Sequence, residues 1–242
     1  MLHPISIVDR KPQHTPALKT KWLTLFLALY GLFVFLPFAA PLMMKWNLPA
    51  LGKPIYFVYS FVCHQLPQRS LFFFGPRLMY SVSEIQAAWQ VTDNPMILRQ
   101  FIGNPEMGWK VAWSDRMISM YGGIWVAGLL WAIYGKRDSK TPLWVFLALT
   151  LPMVLDGTTH LISDFNGVAS GFRYTNDWLA TLTRNSLPAS FYVGDALGSF
   201  NSWARWLSGL LFGFGMVWWS FPFISESLDL HARSGLRSAE QH

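Results

Sequence analysis

The chain has 242 residues, of which 52% are hydrophobic and only 13% are charged. A soluble domain usually carries about 25% charged residues, so this composition excludes a disordered chain and most soluble enzymes. Its single cysteine excludes an intramolecular disulfide framework and a zinc module built from cysteines alone. The net charge of +6 would indicate nucleic-acid binding only if the basic residues formed one patch.

Four stretches of the chain are long and apolar enough to cross a hydrocarbon core of about 30 Å as helices. They predict membrane spans at residues 22–44, 117–134, 142–162 and 206–224. The apolar segment from Ile55 to Cys63 is shorter and predicts a re-entrant or interfacial segment, although the sequence leaves open whether residues 54–66 cross. The predicted fold class is therefore all-α: a polytopic membrane protein with about four transmembrane helices.

Two long connections join these spans, and both contain signals that begin helices. We expect residues 45–116 and 163–205 to form a partly helical cap on one side of the membrane. The signals predict a helix over residues 84–90 capped by Ser83, a helix from Asp93-Asn94-Pro95 to Gly103, and a helix over residues 178–182 opened by Asn176-Asp177.

The positions of the basic residues predict how the chain is oriented. Nine of the nineteen lie in the tails and in one short turn, namely Arg10, Lys11, Lys19, Lys21, Lys136, Arg137, Lys140, Arg233 and Arg237. Because Lys and Arg near spans favour the cytoplasmic side, we expect cytoplasmic tails at 1–21 and 225–242 around a membrane domain at 22–224. The predicted location is the inner membrane of a prokaryotic cell. The expected partners are the bilayer and other membrane subunits, not nucleic acid.

Ionisable and polar residues at membrane depth are costly, and they therefore mark a candidate site. The predicted topology brings four such sets to the outer leaflet. The sets are Cys63, His64, Gln65, Arg69 and Ser70; Asp115 and Arg116; Asp156 and His160; and Asn201 and Arg205.

Three interpretations of this polar cluster remain open. In the first, Arg69, Arg116 and Arg205 neutralise Asp115 and Asp156 in a structural network, because buried charges are normally paired. In the second, His64, Asp156 and His160 bind a divalent metal such as zinc or iron, which activates water for hydrolysis. In the third, the arginines recognise an anionic headgroup. The histidine spacing matches no established metal-binding pattern.

The segment Cys63-His64-Gln65-Leu66-Pro67-Gln68-Arg69-Ser70 resembles the hallmark motif of an uncharacterised family of prokaryotic multi-pass membrane proteins. This family is a domain-of-unknown-function group with a Cys-His-Gln-x-Pro-x-Arg-Ser motif. Three later stretches are similar to its other motifs: Arg116 with Tyr121-Gly122, Pro152-Met153 with Asp156-Gly157, and Asn201, Arg205, Gly209 and Gly213. The resemblance implies a membrane location and a shared polar core, but no activity.

The chain departs from the family pattern at three positions. Many members carry cysteines on either side of the second-motif arginine, where this chain has Ser114 and Met117, and the third motif commonly ends in Gln, where this chain has His160. A multi-cysteine centre is therefore not expected.

The favoured interpretation is a non-catalytic subunit or assembly protein that presents its cap to partners. The alternative is a small metal-dependent hydrolase acting on a lipid or envelope substrate. The sequence alone names no catalytic residue or cofactor.

Overall fold

Four helices of the computed structural model are long and apolar enough to cross a membrane. They lie at Lys21–Lys45, Asp115–Tyr134, Leu143–Asp164 and Phe200–Leu228. Each coincides with a predicted span, so the prediction of a four-helix polytopic membrane protein is confirmed. The structure describes residues 16–135 and 140–239, with the backbone alone for 16–20, 229, 232–233 and 235–239. The basic residues Arg10, Lys11, Lys136 and Arg137, used above to orient the chain, lie outside the described residues.

Helices account for most of the secondary structure, and three short strands lie between the first and second long apolar helices. The helices are α1 (Pro16–Phe35), α2 (Ala39–Lys45), α3 (Pro49–Tyr59), α4 (Val82–Ala88), α5 (Pro95–Leu98), α6 (Asp115–Tyr134), α7 (Leu143–Asp164), α8 (Phe172–Thr175), α9 (Asp177–Leu182), α10 (Ala189–Tyr192) and α11 (Phe200–Ala239). The strands are β1 (Ser70–Phe73), β2 (Gly103–Asn104) and β3 (Gly108–Ser114), and short 3-10 turns occupy Leu36–Phe38 and Pro67–Arg69.

Helix α3 corresponds to the predicted interfacial segment. It has only 11 residues, about 16 Å at 1.5 Å per residue, which is too short for the hydrocarbon core. The segment around it exposes large apolar side chains, including Phe57 at 65% and Phe61 at 75%. Exposed apolar surface next to membrane helices is typical of a segment lying at the bilayer interface.

The cap contains a small antiparallel sheet that the sequence analysis did not predict. Strand β3 is central and pairs with β1 on one side and β2 on the other. Buried residues follow one another along β3 instead of alternating with exposed ones, because the strand lies between the cap and the membrane helices. A strand buried on both faces has no period-2 signal, which is why periodicity alone missed it.

The short cap helices agree with the predictions in place and differ at their ends. Helix α9 is confirmed, and α5 begins after its cap Asn94 as predicted. The prediction that α5 continues to Gly103 is wrong, because that glycine begins β2. Helix α4 begins two residues earlier than predicted: its cap is Ser81, whose hydroxyl accepts from the backbone N–H of Glu84 while the Glu84 carboxylate accepts from the Ser81 backbone N–H.

Three apolar clusters hold these elements together. One lies inside the cap and includes Phe72, Tyr80 and Ile85. A second joins the cap to the membrane helices through residues such as Trp113, and a third lies among α1, α6 and α11 around Trp131. The second cluster packs the cap against α1, α2 and α6, so the cap ends of these helices lie beneath folded structure.

Candidate functional site

The end of the bundle beneath the cap contains a cluster of four arginines, four aspartates and one histidine, which we call the charged cluster. Its members are Arg69, Arg116, Arg173, Arg205, Asp115, Asp156, Asp164, Asp195 and His160. They come from α6, α7, α11 and both long connections. The charged cluster therefore links three membrane helices to the cap.

One part of the charged cluster is a chain of ion pairs centred on Arg205 and Asp195. Arg205 donates from Nε to both oxygens of Asp115 at 2.8 Å and from Nη1 to Oδ1 of Asp195 at 2.7 Å. Arg69 donates to Oδ2 of Asp195 at 2.9 Å and makes two bonds of 2.8 Å to Asp164. Paired guanidinium–carboxylate bonds of this kind are strong and directional. This part of the cluster fixes Arg69 of the cap against α7 and α11.

The second part is centred on Asp156. Arg116 donates to its Oδ2 and Arg173 to its Oδ1, both at 2.6 Å. Asn201 holds the backbone of Arg173 in place, because its side-chain amide donates to the Arg173 carbonyl at 2.5 Å. The same amide donates to the carbonyl of Gly194 at 2.9 Å, next to Asp195. Asn201 is therefore a positioning residue for both parts of the cluster.

His160 lies between the two parts. Its Nδ1 is 2.9 Å from the backbone oxygen of Asp156 and 3.2 Å from that residue's Oδ1, so Nδ1 carries the proton that these oxygens accept. Its Nε2 has no hydrogen-bond partner and lies 3.8 Å from Oδ1 of Asp195, too far for a hydrogen bond. The imidazole is 3% exposed. His160 thus lies between Asp156 and Asp195, is hydrogen-bonded only to Asp156, and retains one unused nitrogen.

The pKa of Asp195 reflects this arrangement. Burial would raise it, but the nearby guanidinium groups of Arg69 and Arg205 outweigh burial and hold the pKa well below its ordinary value. Asp195 is consequently a carboxylate at neutral pH. It lies in the connection that precedes α11, and it is 4% exposed.

The motif at residues 63–70 contributes only Arg69 to the charged cluster. The Cys63 sulfur accepts from the backbone N–H groups of Gln65 and Ser114, and the Gln65 amide donates to the Tyr56 carbonyl. Ser70 donates to the Leu66 carbonyl. These bonds join the motif to β3 and α3, so Cys63, Gln65 and Ser70 organise the cap and do not line the charged cluster.

A cavity of about 270 Å³ opens beside the charged cluster. Arg69, Arg116, Arg205 and His160 contribute to its polar side, and His64 lines it as an exposed residue. Arg99 of the cap also lines it. The opposite side is apolar and includes Met96, Leu161 and Phe165.

The predicted metal ligands do not form a cluster in the structure. Asp156 and His160 adjoin each other, whereas His64 is exposed and makes no ion pair with them. Across residues 16–135 and 140–239 the structure contains no group of three or more His, Cys, Asp or Glu side chains placed to bind one metal ion. The geometry therefore gives the metal-hydrolase alternative no support.

Three members of the charged cluster, Asp164, Arg173 and Asp195, were not predicted from the sequence. Asp164 follows Asp156 and His160 at the same four-residue spacing and shares their helix face. The predicted third span ended at residue 162, two residues too early to include it. Arg173 and Asp195 lie in the connection between α7 and α11, where no periodic pattern indicates which side chains turn inward.

The four apolar helices and the buried charges at one end of them define a polytopic helical membrane protein. Residues 106–219 match the model of a family described as "Predicted membrane protein (DUF2085)". This segment contains every member of the charged cluster except Arg69, and the motif at residues 63–70 lies outside it.

A protein of Methanocaldococcus jannaschii, described as "Uncharacterized protein MJ1492", is 30% identical to this chain over 110 residues. The alignment covers 45% of this chain and 49% of that protein, so the chain spans about half the length of the curated relative it matches. No solved structure matches the chain significantly.

Proposed function

We propose that the protein is a non-catalytic subunit or assembly protein of a prokaryotic inner membrane, with both termini in the cytoplasm and the cap presented outside to partner proteins. The observation that carries this proposal is that every carboxylate of the charged cluster is paired with an arginine. Asp115, Asp156, Asp164 and Asp195 each accept hydrogen bonds from at least one arginine. A carboxylate held in this way is a poor general base, because taking a proton would break the pair.

The shape of the molecule supports the same proposal. Salt bridges and the Trp113 cluster hold the cap on three membrane helices, so the cap is a fixed surface. The cap exposes large apolar side chains, including Val91 at 88% and Leu182 at 74%. Contiguous exposed apolar surface is typical of contacts between proteins, and the proposal assigns these side chains to such a surface.

Photo-crosslinking in membranes of the native host tests the assembly role. A photoreactive phenylalanine analogue at position 91 or 182 should give a discrete protein adduct, and the purified complex should run above the monomer mass on native gels. The control position is Ile133, which α6 exposes at 70% within a membrane span and which should label lipid. No protein adduct at either cap position, together with a monomer on native gels, would overturn the proposal.

A second experiment tests the non-catalytic part. His64→Ala should retain the wild-type complex on native gels and restore a deletion strain to wild-type growth, since His64 lies outside the charged cluster and is not proposed to perform chemistry. Loss of complementation by this variant, with thermal stability and complex formation unchanged, would contradict the non-catalytic role. Stoichiometric zinc or iron in the purified protein, absent from His64→Ala, would instead establish the metal alternative.

A further inference from the structure

The cavity beside the charged cluster has properties that the structural role of the cluster does not explain. Its polar side includes Arg99, which belongs to no ion pair among the residues that the structure describes; its Nη2 donates only to the backbone carbonyl of Ser60, at 3.0 Å. The charged cluster alone has four guanidinium groups and four carboxylates. With Arg99 added, the surroundings of the cavity have one positive charge in excess.

Two residues that line the cavity each have a buried nitrogen atom that lacks a hydrogen-bond partner among the residues that the structure describes. One is Nε of Arg116 and the other is Nε2 of His160. Buried polar groups are normally hydrogen-bonded, so these two nitrogens are hydrogen-bonding capacity that the charged cluster does not use. Helix α6 also begins at this cavity, and Ser114 and Asp115 at its N-terminus line it. The N-terminal end of a 20-residue helix adds a positive electrostatic potential.

Gly157 provides space at the polar side. A Cβ atom at this position would lie 3.1 Å from Nη1 of Arg116, closer than most carbon–nitrogen contacts. The glycine therefore leaves one edge of the Arg116 guanidinium uncovered toward the cavity. An oxygen atom of a ligand could approach the guanidinium along that edge.

The apolar side of the cavity is continuous with surface that faces lipid. Leu161 is 59% exposed and lies within the membrane helix α7, and Phe165 follows at the end of that helix with 80% exposure. Met96 of α5 is exposed on the other side of the opening. A hydrocarbon chain leaving the cavity would run along Leu161 toward the bilayer core.

We propose that this cavity binds the headgroup of an anionic amphiphile, a single phosphate monoester attached to a hydrocarbon chain that stays in the membrane. A volume of 270 Å³ is near the lower limit for small-molecule pockets, so it suits a compact headgroup and not a whole lipid. Arg99 and Arg116 are the groups that contact the phosphate, because guanidinium groups bind phosphate oxygens with paired charge-assisted bonds.

Binding of lysophosphatidic acid to the full chain, purified in a neutral maltoside detergent, tests this site. Thermal unfolding and native mass spectrometry should show one bound molecule and a higher melting temperature. Lysophosphatidylcholine has the same type of chain with a bulky zwitterionic head, and it should bind at least about tenfold more weakly. Inorganic phosphate supplies the head without the chain and should give no shift at the same concentration.

Variants then place the binding in this cavity. Arg99→Gln should weaken lysophosphatidic acid binding by at least about tenfold, because a charge-assisted hydrogen bond contributes roughly 1.5–3 kcal/mol. The matched control is Arg184→Gln, an exposed cap arginine that does not line the cavity. Gly157→Val should block the site, whereas Gly122→Val, at a helix position with no atom within 4 Å of the added Cβ, should leave binding unchanged.

Three results would overturn the proposal. Equal binding of lysophosphatidic acid and lysophosphatidylcholine would show that the anionic head is not recognised. An equal shift with inorganic phosphate would show that the apolar side contributes nothing. Unchanged lysophosphatidic acid binding in folded Arg99→Gln and Gly157→Val would place any binding outside this cavity.

Discussion

Asp195 is the residue on which the Arg205 part of the charged cluster depends. It accepts hydrogen bonds from both Arg69 and Arg205, which otherwise reach only Asp164 and Asp115. Removing one partner of a buried ion pair is far more damaging than its net contribution suggests, because the charges that remain are buried without compensation.

Asp195→Asn should therefore lower the free energy of unfolding by about 3–5 kcal/mol in detergent. Urea unfolding monitored by tryptophan fluorescence measures this, with Asp93→Asn in the exposed part of the cap as a control expected to stay within about 0.5 kcal/mol. The Asp195 contribution is present above the unfolded-state pKa of an aspartate and is lost as pH falls through its lower folded-state pKa. Similar unfolding energies for wild type and Asp195→Asn would contradict the role assigned to this residue.

Lys110 of β3 is a second residue with an unusual environment. It is fully buried, and its ammonium group donates to the carbonyls of Gln65 at 2.8 Å and Arg99 at 2.6 Å. Burial lowers its pKa to about 7, although a negatively charged Cys63 would act in the opposite direction.

This pKa predicts how stability depends on pH. Between about pH 7 and pH 10 the unfolded chain holds the Lys110 proton and the folded chain does not, so the free energy of unfolding should rise with pH. Unfolding midpoints measured from about pH 6.5 to about pH 9.5 should show this rise in the wild type. In Lys110→Met, whose overall stability is lower because two carbonyls lose their donor, the rise should be absent. An unchanged slope in the variant would mean that another group titrates.

At the scale of elements, α6 and α11 pack through small residues. Gly209 and Gly213 lie one turn apart on α11, and a Cβ at Gly213 would meet the backbone nitrogen of Ile124 at 2.7 Å. Backbones that approach this closely leave no room for a side chain, which is the usual arrangement between membrane helices.

Gly213→Ala should consequently cost about 1–3 kcal/mol of stability through overpacking, exceeding the roughly 1 kcal/mol that alanine gains over glycine in a helix. Gly122→Ala on α6 has open space around the new Cβ and should be neutral or stabilising. Melting temperatures of the two variants in the same detergent compare these effects directly. Equal melting temperatures of Gly213→Ala and Gly122→Ala would show that the α6–α11 contact is looser than the structure indicates.

The helix bounds show how much of each element local hydrophobicity predicts. Hydrophobicity placed the four spans within a few residues, because the bilayer imposes their length and composition. The start of α11 was predicted at residue 206, whereas the helix begins at Phe200. The preceding turn carries Asn201 and Arg205, polar residues that lower the hydropathy of a window but are neutralised in the fold by Asp115, Asp195 and backbone carbonyls.

At the scale of the whole molecule, the cap and the C-terminal end of α11 lie at opposite ends of the bundle. Our proposed orientation places the cap outside the cell. The native Cys63 cannot report on this, because it is only 5% exposed.

An impermeant maleimide applied to intact cells should therefore label Val91→Cys in a Cys63→Ser background, since residue 91 is 88% exposed on the cap. Ser234→Cys, exposed near the other end, should react only after the cells are permeabilised. The opposite pattern of labelling would invert the proposed orientation, although the fold would be unaffected.

The sequence by itself determined the class of protein, the four spans and most of the polar residues beneath the cap. It could do so because water and lipid act on every residue locally, and each charge at membrane depth stands out against an apolar background. Which arginine meets which aspartate was decided only by the tertiary structure. Arg69 bonds to Asp164 and Asp195, which lie 95 and 126 residues further along the chain. Pairings over such separations depend on how α7 and α11 pack under the cap, and no local pattern encodes them.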